Sequence, residues 1–206
     1  MEGINELRYP KKDVILFNSY SKNDAVVLSN FYPCKLTYGG VEYNSVEQLL
    51  YVMRLSNHKG HQKSLMLYDK AVDVKKHGKE MFKKLGIVWA PEQLVPMLRF
   101  CIRLKYNQCD EFRRFLLEHP EKKLVEYAAW GDSEWGMVDE DETLKWNWYR
   151  GYVRGQNVCG RIIQGVRSEG LSGEVIPVLP EWVELPTPDD LKPVVIDDDW
   201  IAYVTD

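Results

Sequence analysis

Residues 36–54 read Leu-Thr-Tyr-Gly-Gly-Val-Glu-Tyr-Asn-Ser-Val-Glu-Gln-Leu-Leu-Tyr-Val-Met-Arg, and within them one structural period gives way to another. Leu36–Tyr43 sets β-favouring residues on either side of Gly39-Gly40, the pattern of a two-residue hairpin. Val46, Leu49, Leu50 and Met53 then repeat at helical spacing, so a helix follows directly. Asn44 with Glu47 three residues later fits a capping box at its start. The apolar stripe belongs to a core, which leaves Glu47, Tyr51 and Arg54 sharing another face.

Working outward, Val14–Phe17 predicts a strand. Residues 62–82 predict helical segments broken near Gly78. Pro91 opens a longer helix reaching about Tyr106, with Pro96 either tightening its first turns or marking its true start. Asp110–Glu118 predicts another helix and Leu124–Tyr127 a short buried strand. A Trp- and Gly-rich stretch from Trp130 to Gly155, with the acidic insert Asp139–Glu142, has loop chemistry with aromatic anchors. Asn157 caps a final core helix, Val158–Ser168, which Gly170 can end. Beyond it, Pro177, Pro180, Pro186, Pro188 and Pro193 and the acidic run Asp197–Asp199 predict an extended tail wrapping the body. The expected division is a domain over 1–172 and an acidic extension over 173–206.

Composition bounds the function. With 206 residues, 45% hydrophobic and 28% charged, the chain can bury the core of one globular domain, which excludes disordered and collagen-like classes. No apolar run approaches the roughly 18 residues of a membrane-spanning helix, and Met1–Lys12 is polar and charged. The expectation is an intracellular, cytoplasmic protein, nuclear entry included, with no membrane partner. Four cysteines without a CxxC pair argue against a disulfide framework or structural zinc, and for reduced thiols. The net charge of -4 is uneven: from Gly173 onward there are nine acids and one lysine, leaving 26 basic against 22 acidic residues before it. A body of about +4 can hold a small anionic ligand, yet no clustered basic run marks broad duplex binding.

Several residues break the bland pattern. Leu94, Met97, Leu98 and Cys101 form the apolar stripe of the helix from Pro91, and Lys105 falls near its middle. That lysine either snorkels near the helix end or is a partly desolvated amine, able to act as a nucleophile or hold a phosphate. Glu47 either stabilises its helix N-terminus or carries protons. His58 and His61 lack a third ligand, so no metal is expected. Gly155–Gly160 is a small-residue entry to a helix N-terminus, suited to an anion, although capping explains Asn157 equally. Trp146, Trp148, Tyr149 and Tyr152, interleaved with Lys145, Arg150 and Arg154, either stack a base or pack a hairpin face on the core. Trp89, just before Pro91, is a hydrophobic staple or a pocket wall.

Taken in order, Phe17–Ser19, Leu28-Ser29-Asn30-Phe31-Tyr32-Pro33, Gly40–Tyr43 leading into Ser45-Val46-Glu47-Gln48, Trp89, Met97–Gln108, Leu124-Val125-Glu126, Asp132-x-x-Trp135-Gly136 and Gly155-x-Asn157-x-x-Gly160 followed by Val166-Arg167 form one ordered set. This set resembles the NADAR family, the YbiA-like N-glycosidases, over about residues 14–168. The resemblance implies a compact, mainly helical α+β fold with a small N-terminal β element, and hydrolysis of a ribose N-glycosidic bond. Two substrate types go with it: ADP-ribose on the exocyclic amine of guanine in nucleic acid, and ribosylamino intermediates of riboflavin biosynthesis. The first is the expected substrate; the second, and a non-catalytic ADP-ribose-binding module, are the alternatives. Carried over residue by residue, Glu47 becomes the acid/base, Lys105 an amine for a covalent sugar intermediate or a phosphate contact, and Asp132 a second carboxylate. Ser29, Asn30 and Phe31 would contact substrate, Asn30 by orienting ribose hydroxyls. Trp89, Trp130 and Trp135 with Gly136 would form walls, and Asn157 with the amides around Gly160 a polar rim. No cofactor or metal is implied, and a monomer suffices. Two departures matter. Bacterial members commonly carry a lysine two turns after the glutamate, where this chain has Arg54, which cannot form a Schiff base and instead suits phosphate. The Met137–Arg154 insert would reshape the mouth of the pocket.

Overall fold

A computed structural model describes residues 6–129 and 131–192 of the chain. Strands β1 (Leu7–Pro10) and β2 (Val14–Phe17) precede the hairpin β3 (Leu36–Tyr38) and β4 (Val41–Tyr43). Helices α1 (Val46–Met53), α2 (Lys59–Leu65), α3 (Ala71–Leu85), α4 (Pro91–Gln108) and α5 (Asp110–Glu118) follow. Then come β5 (Lys123–Glu126), β6 (Val138–Asp139), β7 (Tyr152–Gly155), α6 (Val158–Ser172) and the single turn α7 (Pro188–Leu191). The result is the mainly helical α+β fold, with three small sheets: β1-β7-β6 antiparallel, β2-β5 parallel and the β3-β4 hairpin. Gly39 and Gly40 turn that hairpin with φ of 57° and 79°, a left-handed pair that glycine adopts without strain.

The core forms where α4 packs on α1, α5 and α6, and α6 covers β5. Val46, Leu49 and Met53 of α1 are fully buried there beside Leu98, Cys101 and Ile163. A second, smaller cluster, including Leu16, Val125, Tyr127, Met137 and Val153, lies between the β2-β5 pair and the β1-β7-β6 sheet. The two clusters divide β5 by its pleat, since Leu124 joins the main core while Val125 and Tyr127 join the smaller one. No helix among the described residues is long and apolar enough to cross a membrane.

Several boundaries differ from the sequence expectation. The cap of α1 is Ser45, whose Oγ accepts from Gln48 N, while Gln48 Oε1 accepts from Asn44 N. Asn44 and Glu47 are therefore not the capping pair, and Glu47 is released for other work. Gly78 does not break α3, because a Cβ there would stand 2.1 Å from the Tyr51 ring: it is a packing glycine inside a continuous helix. The helix from Pro91 begins at that residue and contains Pro96. Helix α6 runs through Gly170 to Ser172, since the Tyr106 hydroxyl packs where a Cβ would be. Residues 152–155, expected as loop, form β7 because Val153 is buried between β1 and β6.

Residues 173–192 lie against the body: Gln62 donates to Glu184 O, Asn107 to Val175 O, and Lys59 pairs with Asp190. Pro193 and Asp197–Asp199 lie outside the described residues.

Candidate active site

Glu47 occupies the second position of α1, and its backbone N donates to Asn30 O, which ties the helix start to the 28–33 segment. Its carboxyl is 6% exposed and faces a half-open cavity of about 290 Å³ between α1, α3, α4, the end of β5 and the 132–135 turn. Glu126, the last residue of β5, and Asp132 open into the same space, as do Arg54 and Lys75. Lys75 Nζ lies 3.8 Å from Glu47 Oε1 and 5.0 Å from the centre of the Phe31 ring. The Arg54 guanidinium stacks over Phe82 at 4.2 Å and Tyr51 at 5.1 Å. On two residues lining this cavity, a buried polar atom has no hydrogen-bond partner among the described residues: Asn30 Oδ1 and Arg54 Nε. Unpartnered buried polar groups are costly, so two of them on cavity-lining residues are candidates for a ligand's hydrogen bonds.

Burial holds both acids toward the protonated form. Burial raises the Glu47 carboxyl above its usual range, against the pull of Lys75, Arg54 and Lys79. Burial also raises Glu126, to about 7, while the Cys159 thiol donating to it lowers it, and Glu47 and Asp132 add to the rise. Near neutrality Glu126 is thus poised between its two forms, while Glu47, also raised, faces Lys75 and Arg54; carboxyl groups so shifted in one cavity are suited to acid and base roles.

The Glu126 shift also has a stability consequence. Between its ordinary value of 4.5 and about 7 the folded chain binds more protons at this site than the unfolded one, so stability falls as pH rises through that window. Glu126→Gln is expected to abolish that slope and raise stability at pH 8 by up to about 3 kcal/mol, with little effect at pH 5. Thermal unfolding at the two pH values checks it; an equal change at both would refute the assignment.

The structure brings together six of the residues expected from sequence: Asn30, Phe31, Glu47, Arg54, Asp132 and Trp135. Asp132 also accepts from Trp135 N at 3.0 Å, which sets the turn carrying both. The others stand elsewhere. Lys105 is fully buried, and its Nζ donates to Val27 O and Ser29 O at 2.7 and 2.8 Å; burial lowers the amine to about 8, but it is not among the residues that line the cavity. Ser29 Oγ accepts from Phe31 N, shaping the segment from within. The Trp89 indole donates to Arg54 O behind the wall. Asn157 is 1% exposed, and its amide pairs with Glu126 N and Leu124 O of β5, so it offers no polar rim. Gly160 and Gly136 allow close approach to β5, their absent Cβ atoms falling 2.3 Å from Leu124 O and 2.6 Å from Glu126 O. Trp130 lies outside the described residues. His58 and His61 meet edge to face at 6.0 Å, and the described residues contain no group of three or more His, Cys, Asp or Glu able to hold a metal.

Sequence reasoning missed Lys75 and Glu126 as site residues. Glu126 stood inside the Leu124-Val125-Glu126 match, and pleat alternation with buried Leu124 was the signal that it points to the core side. Lys75 was hidden by reading Gly78 as a break, which divided the α3 face carrying Lys75, Lys79 and Phe82.

The NADAR domain model matches residues 16–169 of the chain. The chain belongs to the NADAR family. Its family is one of N-glycosidase-type hydrolases. This NADAR domain also matches a solved structure, the NMR structure of the E. coli protein YbiA, with a TM-score of 0.58 and 19% identity over 78% of this chain and 86% of that one. That likeness concerns the fold. No curated protein matches the NADAR chain. The matched span includes every cavity residue named above, from Asn30 to Cys159.

Proposed function

We propose that the protein hydrolyses the bond between ribose C1′ and the exocyclic amine of guanine, releasing ADP-ribose from ADP-ribosylated guanine in nucleic acid. The observation that carries this reading is the Glu47–Glu126 pair, two carboxyls on one cavity, both raised by burial and with Lys75 and Arg54 opposite. Loss of the amine from C1′ builds positive charge on the sugar, and breaking the C–N bond leaves an electron pair on nitrogen that needs a proton. Glu126, which titrates near neutrality, donates that proton to the departing amine from its protonated form. Glu47, as a carboxylate, stabilises the charged sugar and takes the proton of the water whose oxygen bonds to C1′. The products are the free amine of guanine and ADP-ribose with a new hydroxyl.

Arg54 and Lys75 supply positive charge for the pyrophosphate, and Asn30 Oδ1 accepts from a ribose hydroxyl. A cavity of about 290 Å³ takes the sugar and its linked ring, so the adenosine extends past the mouth. Mechanism requires neither cofactor nor metal nor a second copy of the chain. With Lys105 held by two carbonyls and arginine at position 54, neither position forms a covalent sugar adduct, which leaves Lys75 as the one lysine among the cavity-lining residues.

The test is mass-spectrometric detection of free ADP-ribose after the protein is added to a guanine-ADP-ribosylated oligonucleotide. Multiple turnovers are expected. Binding without product over many hours would overturn the hydrolase reading in favour of a reader, and hydrolysis of a ribosylamino pyrimidine in its place would overturn the substrate.

A further inference from the structure

We propose that a second groove, walled by Tyr20, Trp146, Trp148 and Tyr149, binds the nucleotides flanking the modified base in a single-stranded nucleic acid. It has a volume of about 530 Å³, and three of its rings are open to solvent: Tyr20 at 68%, Tyr149 at 79% and Trp146 at 40%. The rest of its wall is Ser21, Lys22 and Asn23, so it offers a cation and hydrogen-bonding groups but no carboxylate. Flat π faces beside a cation suit stacked bases and the phosphates between them.

The rings are held in place rather than left loose. Tyr127 meets Trp146 edge to face at 5.7 Å and Trp148 at 5.2 Å, and its hydroxyl accepts from Trp146 N. The other wall is fastened to the same residue, because Asn18 Nδ2 donates to Tyr127 O while Asn18 Oδ1 accepts from Tyr20 N. Tyr127 follows Glu126 directly, so the groove is mounted on the strand end that delivers an acid to the cavity, on its opposite face.

Charge favours this occupant over an apolar peptide. Within the nearby acidic insert, Asp139 pairs with Lys11 and Glu140 forms a bidentate pair with Arg8. Lys22 is the one charged residue among those lining the groove, and its sign suits a phosphate.

This inference rests on the proposed function for its biological sense, but its test does not. The probe is a fluorescein-labelled, unmodified oligothymidylate of about 12 nucleotides, within the usual site size, read by anisotropy beside an oligouridylate of equal length. Binding by the wild type is expected, weakened about tenfold by Tyr20→Ala or Tyr149→Ala and retained by Glu47→Gln. A stronger response to one oligomer assigns the groove to DNA or RNA within the same proposal. Equal binding by wild type and both aromatic variants, or no binding by wild type, would overturn it; so would preferential binding of an oligoproline peptide. Since the probe carries no ADP-ribose, failed binding with intact release of ADP-ribose counts against the groove alone, and the reverse counts against the cavity reading alone.

Discussion

Glutamine in place of Glu47 is expected to slow ADP-ribose release about 10³-fold while the protein stays folded. The substitution preserves shape and leaves the backbone N–H on Asn30 O, so the helix start and the 28–33 segment keep their positions. It removes the one carboxylate within 3.8 Å of Lys75, and with it both the base for the attacking water and the negative charge facing the sugar. Positioned acid or base groups are worth typically 10²–10⁴-fold, and a charge in a shielded site adds to that. The measurement is single-turnover release on substrate-saturated enzyme, with thermal unfolding as a check on folding. A folded variant within tenfold of wild type would remove Glu47 from the chemistry. Stability should move the other way or not at all, because burial already disfavours the ionised form of Glu47.

Gly160→Ala should produce the largest loss of stability, about 3 kcal/mol, which for a chain of this size lowers the unfolding temperature by roughly 6–12 °C. The added methyl would stand 2.3 Å from Leu124 O and 2.4 Å from Asn157 Oδ1. Neither neighbour yields easily. The carbonyl accepts from Asn157 Nδ2, and Asn157 Oδ1 accepts from Glu126 N, so relief requires α6 to move off β5 and breaks the amide clamp between them. Cys159, adjacent to the methyl, donates to the Glu126 carboxyl, so the shift reaches the cavity as well. Circular dichroism on heating gives the first effect and the rate of ADP-ribose release the second. An unchanged melting temperature would show that α6 and β5 are less tightly joined than their separation indicates.

Local periodicity carried much of the fold. Val14–Phe17, the Gly39-Gly40 hairpin, the α1 stripe and the Asp110–Glu118 helix each follow from neighbours a few residues apart, and each is present. Glycine misled where its reason was tertiary. Gly78 and Gly170 read as interruptions because nothing nearby in sequence announces the Tyr51 ring or the Tyr106 hydroxyl that fills their side-chain space. The β1-β7 pairing was illegible for the same reason, joining Leu7 to Gly155. In the cavity, Glu47 and Arg54 were readable because they share a helix face. Lys75 and Glu126 arrive from elements separated from α1, and only packing brings them to it. Lys105 was correctly singled out as anomalous, yet sequence cannot distinguish an amine facing substrate from one satisfying two carbonyls.

The parallel pairing of β2 with β5 joins Phe17 to Glu126, residues 109 apart in the chain. Contacts of that span form late, since loop-closure entropy must be overcome before they contribute. A partly folded or nascent chain can build the hairpin and α1 from local contacts and so display Glu47 early, but it holds no Glu126 beside it until the strands close. Hydrolytic competence therefore waits on a long-range step of folding, and activity reports on completion of the fold more sharply than helix content does.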